Sequence, residues 1–173
     1  MTQVSIAHLR QLILTLSYAV STHAADELED DNLTILDLEN IVLSGQIVER
    51  QRDRSTRETK YVVQGGTLDG TALRSSPKLA TRASSSSSPS MSSSTGCMHC
   101  GSDRVQLKYV TRTYGKGEDL LVIERIPMWS CPGCGESYFT AQTMHEVERI
   151  KALRKSVAKS RPVPVAAFEK SAA

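Results

Sequence analysis

The chain has 173 residues, 39% hydrophobic and 23% charged, with a formal net charge of +2. That length suits one ordinary domain or two small ones, and one Trp and two Phe exclude a large aromatic core. The charge is divided: residues 1–74 carry 7 Lys+Arg against 11 Asp+Glu, residues 97–173 carry 12 against 8, and Lys78 and Arg82 lie between.

An acidic first half and a basic second half either attract each other or leave the basic half facing an anionic partner. Two solvated surfaces are the plainer reading. At the N-terminus, Ile6, Leu9, Ile13 and Leu16 recur at helical spacing. The apolar run Leu12 to Val20 makes a poor export signal, because Thr15, Ser17 and Tyr18 interrupt it. It is also too short to span a membrane, so a cytoplasmic protein is expected. Ser21-Thr22 caps a helix from His23 to about Asp30. Thr34 caps the next, with Asp37 three residues on as a variant capping box and Ile35, Leu38, Ile41 and Val42 as its buried stripe. Gly45 is expected to end that helix in the left-handed region. Gln46–Arg52 and Thr59–Gln64 read as strands joined by the charged residues 53–58, and Gly65-Gly66 and Asp69-Gly70 are turn signals. Helices followed by an antiparallel meander indicate an α+β fold.

From Ser75 to Ser94, 11 of 20 residues are Ser. Such a composition cannot bury enough apolar surface to offset ordering, so a disordered linker is expected over 75–96. It separates an α+β domain over 1–74 from a second module over 97–160, with an extended tail over 161–173. In that module Val105, Leu107 and Tyr109 alternate as a strand, Tyr114 to Gly117 turn the chain, and Leu120 to Trp129 return, stopping near Pro127. Thr140 caps one helix, Ala141 to Lys159, with Met144, Val147, Ile150 and Leu153 on one face.

The chemistry sits in two Cys-x-x-Cys-Gly knuckles, Cys97/Cys100 and Cys131/Cys134, separated by that hairpin. Each knuckle brings two thiolates to one point, and four thiolates suit a tetrahedral Zn²⁺ ion. Four cysteines leave no open position, so the ion would be structural, and it would supply much of the module's folding free energy. His99 lies inside the first knuckle with its ring expected to point away, and His145 lies on the helix; packing roles suit both better than ligation.

The run from Cys97 through Ile126-Pro127, Trp129, Cys131, Cys134-Gly135-Glu136, Tyr138-Phe139 and the helix resembles the YgiT-type zinc finger of MqsA-family antitoxins. The tail Arg161 to Phe168 is similar to the short Val-rich end after such fingers. The first half resembles a bacterial domain of unknown function encoded near RelE-like toxins. The matching residues include Ser21-x-His23-Ala24, Leu33-Thr-x-x-Asp37, Lys60-Tyr61-Val62-Val63 and Asp69-Gly70. Because Ala72 to Arg74 run straight into the Ser tract, the sheet is expected to be truncated, with Val163-Pro-Val165 available to cover its edge.

The resemblance implies a zinc-binding antitoxin-like protein of a toxin–antitoxin type, fused to a toxin-like domain and acting by protein–protein interaction. Its partner would be a RelE-like toxin or the chain's own first half, with the basic helix meeting the acidic Asp26 to Asp31 segment. A ribonuclease in the first half would use His23, Lys60 and Tyr61, with Arg50 and Arg52. The excess of negative charge there opposes an RNA polyanion, and the balance leans against an enzyme. Nucleic-acid binding by the basic module is a further alternative, without a helix-turn-helix to support it.

Overall fold

The computed structural model describes residues 5–52, 59–75, 96–97, 100–164 and 166. Of the expected linker over 75–96, Ser75 belongs to a strand and Gly96 is described; residues 76–95, 53–58, His99, Val165 and 167–173 lie outside the described residues, and Arg52 and Lys60 are described in their backbone alone. Ser5 accepts the His8 N–H and opens α1 (Ile6–Leu14), which buries Leu9 and Ile13. Leu16 follows at φ 50, so the helix stops short of the last residue of its apolar period. Ser21 caps α2 (Thr22–Asp30). Thr34 and Asp37 form both bonds of a capping box at α3 (Ile35–Ser44), satisfying donors that a helix start leaves orphaned.

Strands β2 (Gln46–Arg52), β3 (Thr59–Gly66) and β4 (Ala72–Ser75) form an antiparallel sheet in that order. The strands expected from the sequence do not include β4, which adds a short third strand: Gly66 pairs with Ala72 and Val63 with Ser75. Gly45 is likewise not left-handed: it is extended, at φ −92 and ψ −175. Its small size serves a close approach instead. A Cβ there would lie 2.3 Å from the Ile41 carbonyl and 2.4 Å from that of Gln64, and one on Gly65 would lie 2.3 Å from the same Ile41 oxygen. Gly65→Ala must therefore push α3 off β3. We expect a loss of about 2 kcal/mol or more, read as a lower urea midpoint.

The second half contributes β5 (Gln106–Tyr114), a 3-10 turn at Gly117–Asp119, β6 (Leu121–Ser130), β7 (Ser137–Thr140), α4 (Ala141–Ala152) and α5 (Arg154–Val157). Glu124 and Arg125 of β6 together oppose Thr111, a bulge with Arg125 at φ 61 that bends the hairpin. The strand does not stop at Pro127. β7 pairs only with Trp129 and Ser130 of β6, so at Pro127 one side of β6 has no ladder from β7 to interrupt. The single expected helix is broken at Leu153 and ends at Val157. Described residues 161–164 form no strand, and Arg161 pairs with Glu124 at 3.1 Å.

The two halves meet in one sheet. β1 (Ala19–Ser21) pairs with β7, giving the antiparallel order β1-β7-β6-β5. One cluster of buried residues joins Leu9, Tyr18, Val20, Ile35 and Val42 of the first half to Ile123, Ile126, Phe139, Met144 and Val147 of the second. Among the described residues no helix is long and apolar enough to cross a membrane.

Candidate metal centre

Cys97 sits before β5, and its N–H donates to the Ser102 carbonyl while its own carbonyl accepts the Gly101 N–H at 2.8 Å. Cys131 repeats the pattern behind β6: its N–H reaches the Glu136 carbonyl at 2.8 Å, and its carbonyl accepts the Gly135 N–H at 2.8 Å. Gly101 and Gly135 both stand at φ 77, a left-handed conformation that glycine adopts without a Cβ penalty. The Gly101 and Gly135 N–H groups thus close the two turns.

The antiparallel β5–β6 hairpin brings the knuckles together. All four Sγ atoms lie within 4.8 Å of one another. Cys97 and Cys134 sulfurs are 3.6 Å apart, as are those of Cys100 and Cys131. These separations far exceed the ~2.05 Å of a disulfide. A tetrahedral Zn²⁺ with Zn–S bonds of ~2.3 Å sets sulfurs ~3.8 Å apart, and the two 3.6 Å pairs lie close to that. Cys97 and Cys131 are buried, and Cys100 and Cys134 face outward. N–H groups of Cys134 and Gly133 donate toward Cys131 and hold its thiol down to about 6, which favours the thiolate that a metal needs. Cys134 moves the other way, through desolvation and then the neighbouring Cys97 thiol. The four thiols could hold a metal ion, and they include neither His99, which lies outside the described residues, nor His145.

His145 is committed elsewhere. Its Nε2 lies 2.8 Å from Glu39 Oε1, and the Tyr18 hydroxyl donates to the same oxygen at 2.5 Å. Tyr18 and Glu39 are buried, and burial followed by the Glu39 carboxylate raises the Tyr18 pKa. This bridge joins α3 of the first half to α4 of the second. Glu39 carried a signal in the sequence: with Ile35, Leu38 and Val42 it falls on the apolar face of α3, where a carboxylate needs a partner. Around it, Lys151 meets Glu29 at 3.0 Å, Arg112 meets Asp26, and the Gly115 N–H donates to Glu29.

Of the residues suggested for RNA cleavage, Arg50, Arg52, Lys60 and Tyr61 lie on the paired strands β2 and β3, and His23 lies apart from them in sequence and element. His23 is exposed on α2 and pairs with Glu27 at 3.1 Å, whereas Tyr61 and Lys60 stand on β3 opposite Arg50 and Gln51. Tyr114 is buried, with Lys151 5.1 Å from its ring centre, and Trp129 is half-buried. Tyr109 remains exposed under the Arg125 guanidinium.

A family profile described as Domain of unknown function (DUF4258) matches residues 20–82. The match runs from β1 past β4 and excludes the four cysteines. No curated protein and no solved structure matches the chain. The first half is therefore similar to that domain, and the second adds a separate cysteine cluster able to hold a metal ion.

Proposed function

We propose that the protein is a zinc-binding, antitoxin-like module of YgiT type fused to a toxin-like domain, and that its second half restrains the first by covering it. The observation that carries this reading is the seam between them. Strand β7 adds to β1, His145 reaches the buried Glu39, and cations of the second half meet acids of α2. Four thiolates with no open coordination position suit a structural Zn²⁺ rather than a catalytic one. The metal would be held by Cys97, Cys100, Cys131 and Cys134, and it would fix two knuckles in a module with little core of its own.

The alternatives have less support. Of Lys151, Arg154, Lys155 and Lys159, the cations that suggested a nucleic-acid surface, Lys151 is engaged by Glu29 and Glu148 and Arg154 by Asp119, while Lys155 and Lys159 are exposed. The buried face of the same helix, with Met144 and Val147, is used within its own chain, which favours the intramolecular version over a separate RelE-like toxin.

Expression in bacterial cells tests the reading. His145→Ala with Lys151→Glu removes a bond to a buried carboxylate and reverses an ion pair, at a cost of about 2–4 kcal/mol, which raises the undocked population roughly 30-fold or more. We expect the wild-type chain to leave growth unchanged and the double variant to lower colony counts. Equal growth of cells carrying folded, equally abundant proteins would sink the toxin-like assignment. Cellular RNA integrity in the same cultures distinguishes ribonuclease action from other toxicity.

A further inference from the structure

Glu39 is a buried carboxylate whose two side-chain bonds come from opposite halves of the chain: Tyr18 from its own half and His145 from the other. We infer that Tyr18 and Glu39 form a binding site for the His145 imidazole, and that this imidazole is presented only while the four thiols hold a metal ion. The inference rests on the zinc reading above.

The path between the two sites is short and continuous. The second knuckle ends at Gly135 and Glu136, and the Glu136 carbonyl is bonded by the Cys131 N–H. β7 begins at the next residue. Its hold on β6 is two residue pairs, Trp129 with Tyr138 and Ser130 with Ser137. On its other side β7 makes the three pairs that join it to β1. Tyr138 touches both ends of this path. It pairs with Trp129 of β6 beside the knuckle and with Ser21 of β1. Thr140 ends β7 and caps α4, and the Ala141 N–H donates to the Tyr18 carbonyl. His145 lies one helical turn further on. Knuckle, strand, cap and first turn thus act as one arm.

Without a metal ion, the knuckles are joined by the hairpin below them and by the thiol contacts Cys97–Cys134 and Cys100–Cys131 at 3.6 Å, which are weaker than metal–sulfur bonds. The arm then keeps only two pairs on β6 against three on β1, and β1 follows the loosened strand. The shared core, with Lys151–Glu29 and Arg112–Asp26 beside it, would keep the halves together without fixing the register that seats His145.

Hydrogen exchange followed by mass spectrometry on the full chain tests this. Removing zinc with a chelator should speed exchange about 10-fold or more in residues 18–21 and 138–146, while α3 and β3 stay protected. Linkage requires the converse: Glu39→Gln, far from the sulfurs, should weaken zinc affinity by the same factor in competition with a chromophoric chelator. If Glu39→Gln does not fold, as judged by exchange in α3 and β3, His145→Gln takes its place. Zinc-loaded protein whose β1 stays protected after metal removal, or a folded variant with unchanged zinc affinity, overturns the coupling alone. Protein that binds no zinc overturns the zinc reading and the coupling together.

Discussion

Cys131→Ser should empty the metal site and loosen the two knuckles, β7 and its join to β1. The side chain is wholly buried, and its sulfur receives the Cys134 and Gly133 N–H groups that favour its thiolate. A serine hydroxyl in that place neither ionises near neutrality nor ligates zinc comparably. Structural zinc contributes on the order of 10–16 kcal/mol to small fingers, against roughly 5–15 kcal/mol for the net stability of a whole domain. Here the second half also packs into the shared core, so the loss falls first on the knuckles and β7. Zinc stoichiometry by native mass spectrometry should fall from one per chain to none. Trp129, which pairs with Tyr138 beside the knuckle, should shift its emission to the red. Retention of zinc with unshifted emission would refute the assignment of Cys131 as a ligand. Acid should act in the same direction, since protons compete with the metal for every thiolate.

What the sequence disclosed is what is decided locally. The Thr34–Asp37 capping box, the Ser21 cap and the span of β2 depend on residues within one turn or one strand, and all three stand as read. The cysteines were legible because two knuckles on a hairpin have few ways to meet. The features that escaped are tertiary. β1 has three residues and β7 four, too few to display a period, and their partners lie at opposite ends of the chain. β7 does not even alternate: Tyr138 and Phe139 are both buried, because one lies by the knuckle and the other enters the shared core. Gly45 looks like a helix stop from its neighbours, but its reason is the Gln64 carbonyl across the sheet. Pro127 looks like a strand breaker until the short reach of β7 is known. Splitting the chain at the Ser tract is a reasonable reading of composition, yet composition cannot reveal that the segments on either side of it pack together.

That packing makes Phe139 the most informative residue to truncate. It is the largest of the fully buried side chains, 2% exposed, and it stands opposite Val20 in the β1–β7 pairing. The Arg112 guanidinium lies 5.4 Å from its ring centre, on the side where Arg112 also meets Asp26. Phe139→Ala removes the ring and leaves a cavity between the halves, at a cost of about 3–5 kcal/mol. For a protein of this length that lowers the melting midpoint by roughly 6–20 °C. The shape of the transition matters more than its midpoint. If the two halves share one core, the wild-type protein unfolds in one step, and truncating Phe139 destabilises α3 and β3 along with the hairpin. If the halves were independent, only signals from the second half would shift, and β3 would keep its wild-type midpoint. Calorimetry combined with Trp129 emission and exchange in β3 separates these outcomes. A β3 midpoint untouched by Phe139→Ala would mean that the seam is an encounter between two finished domains. A common shift would mean that the first half needs the second to complete its core, which is the condition under which covering can also restrain.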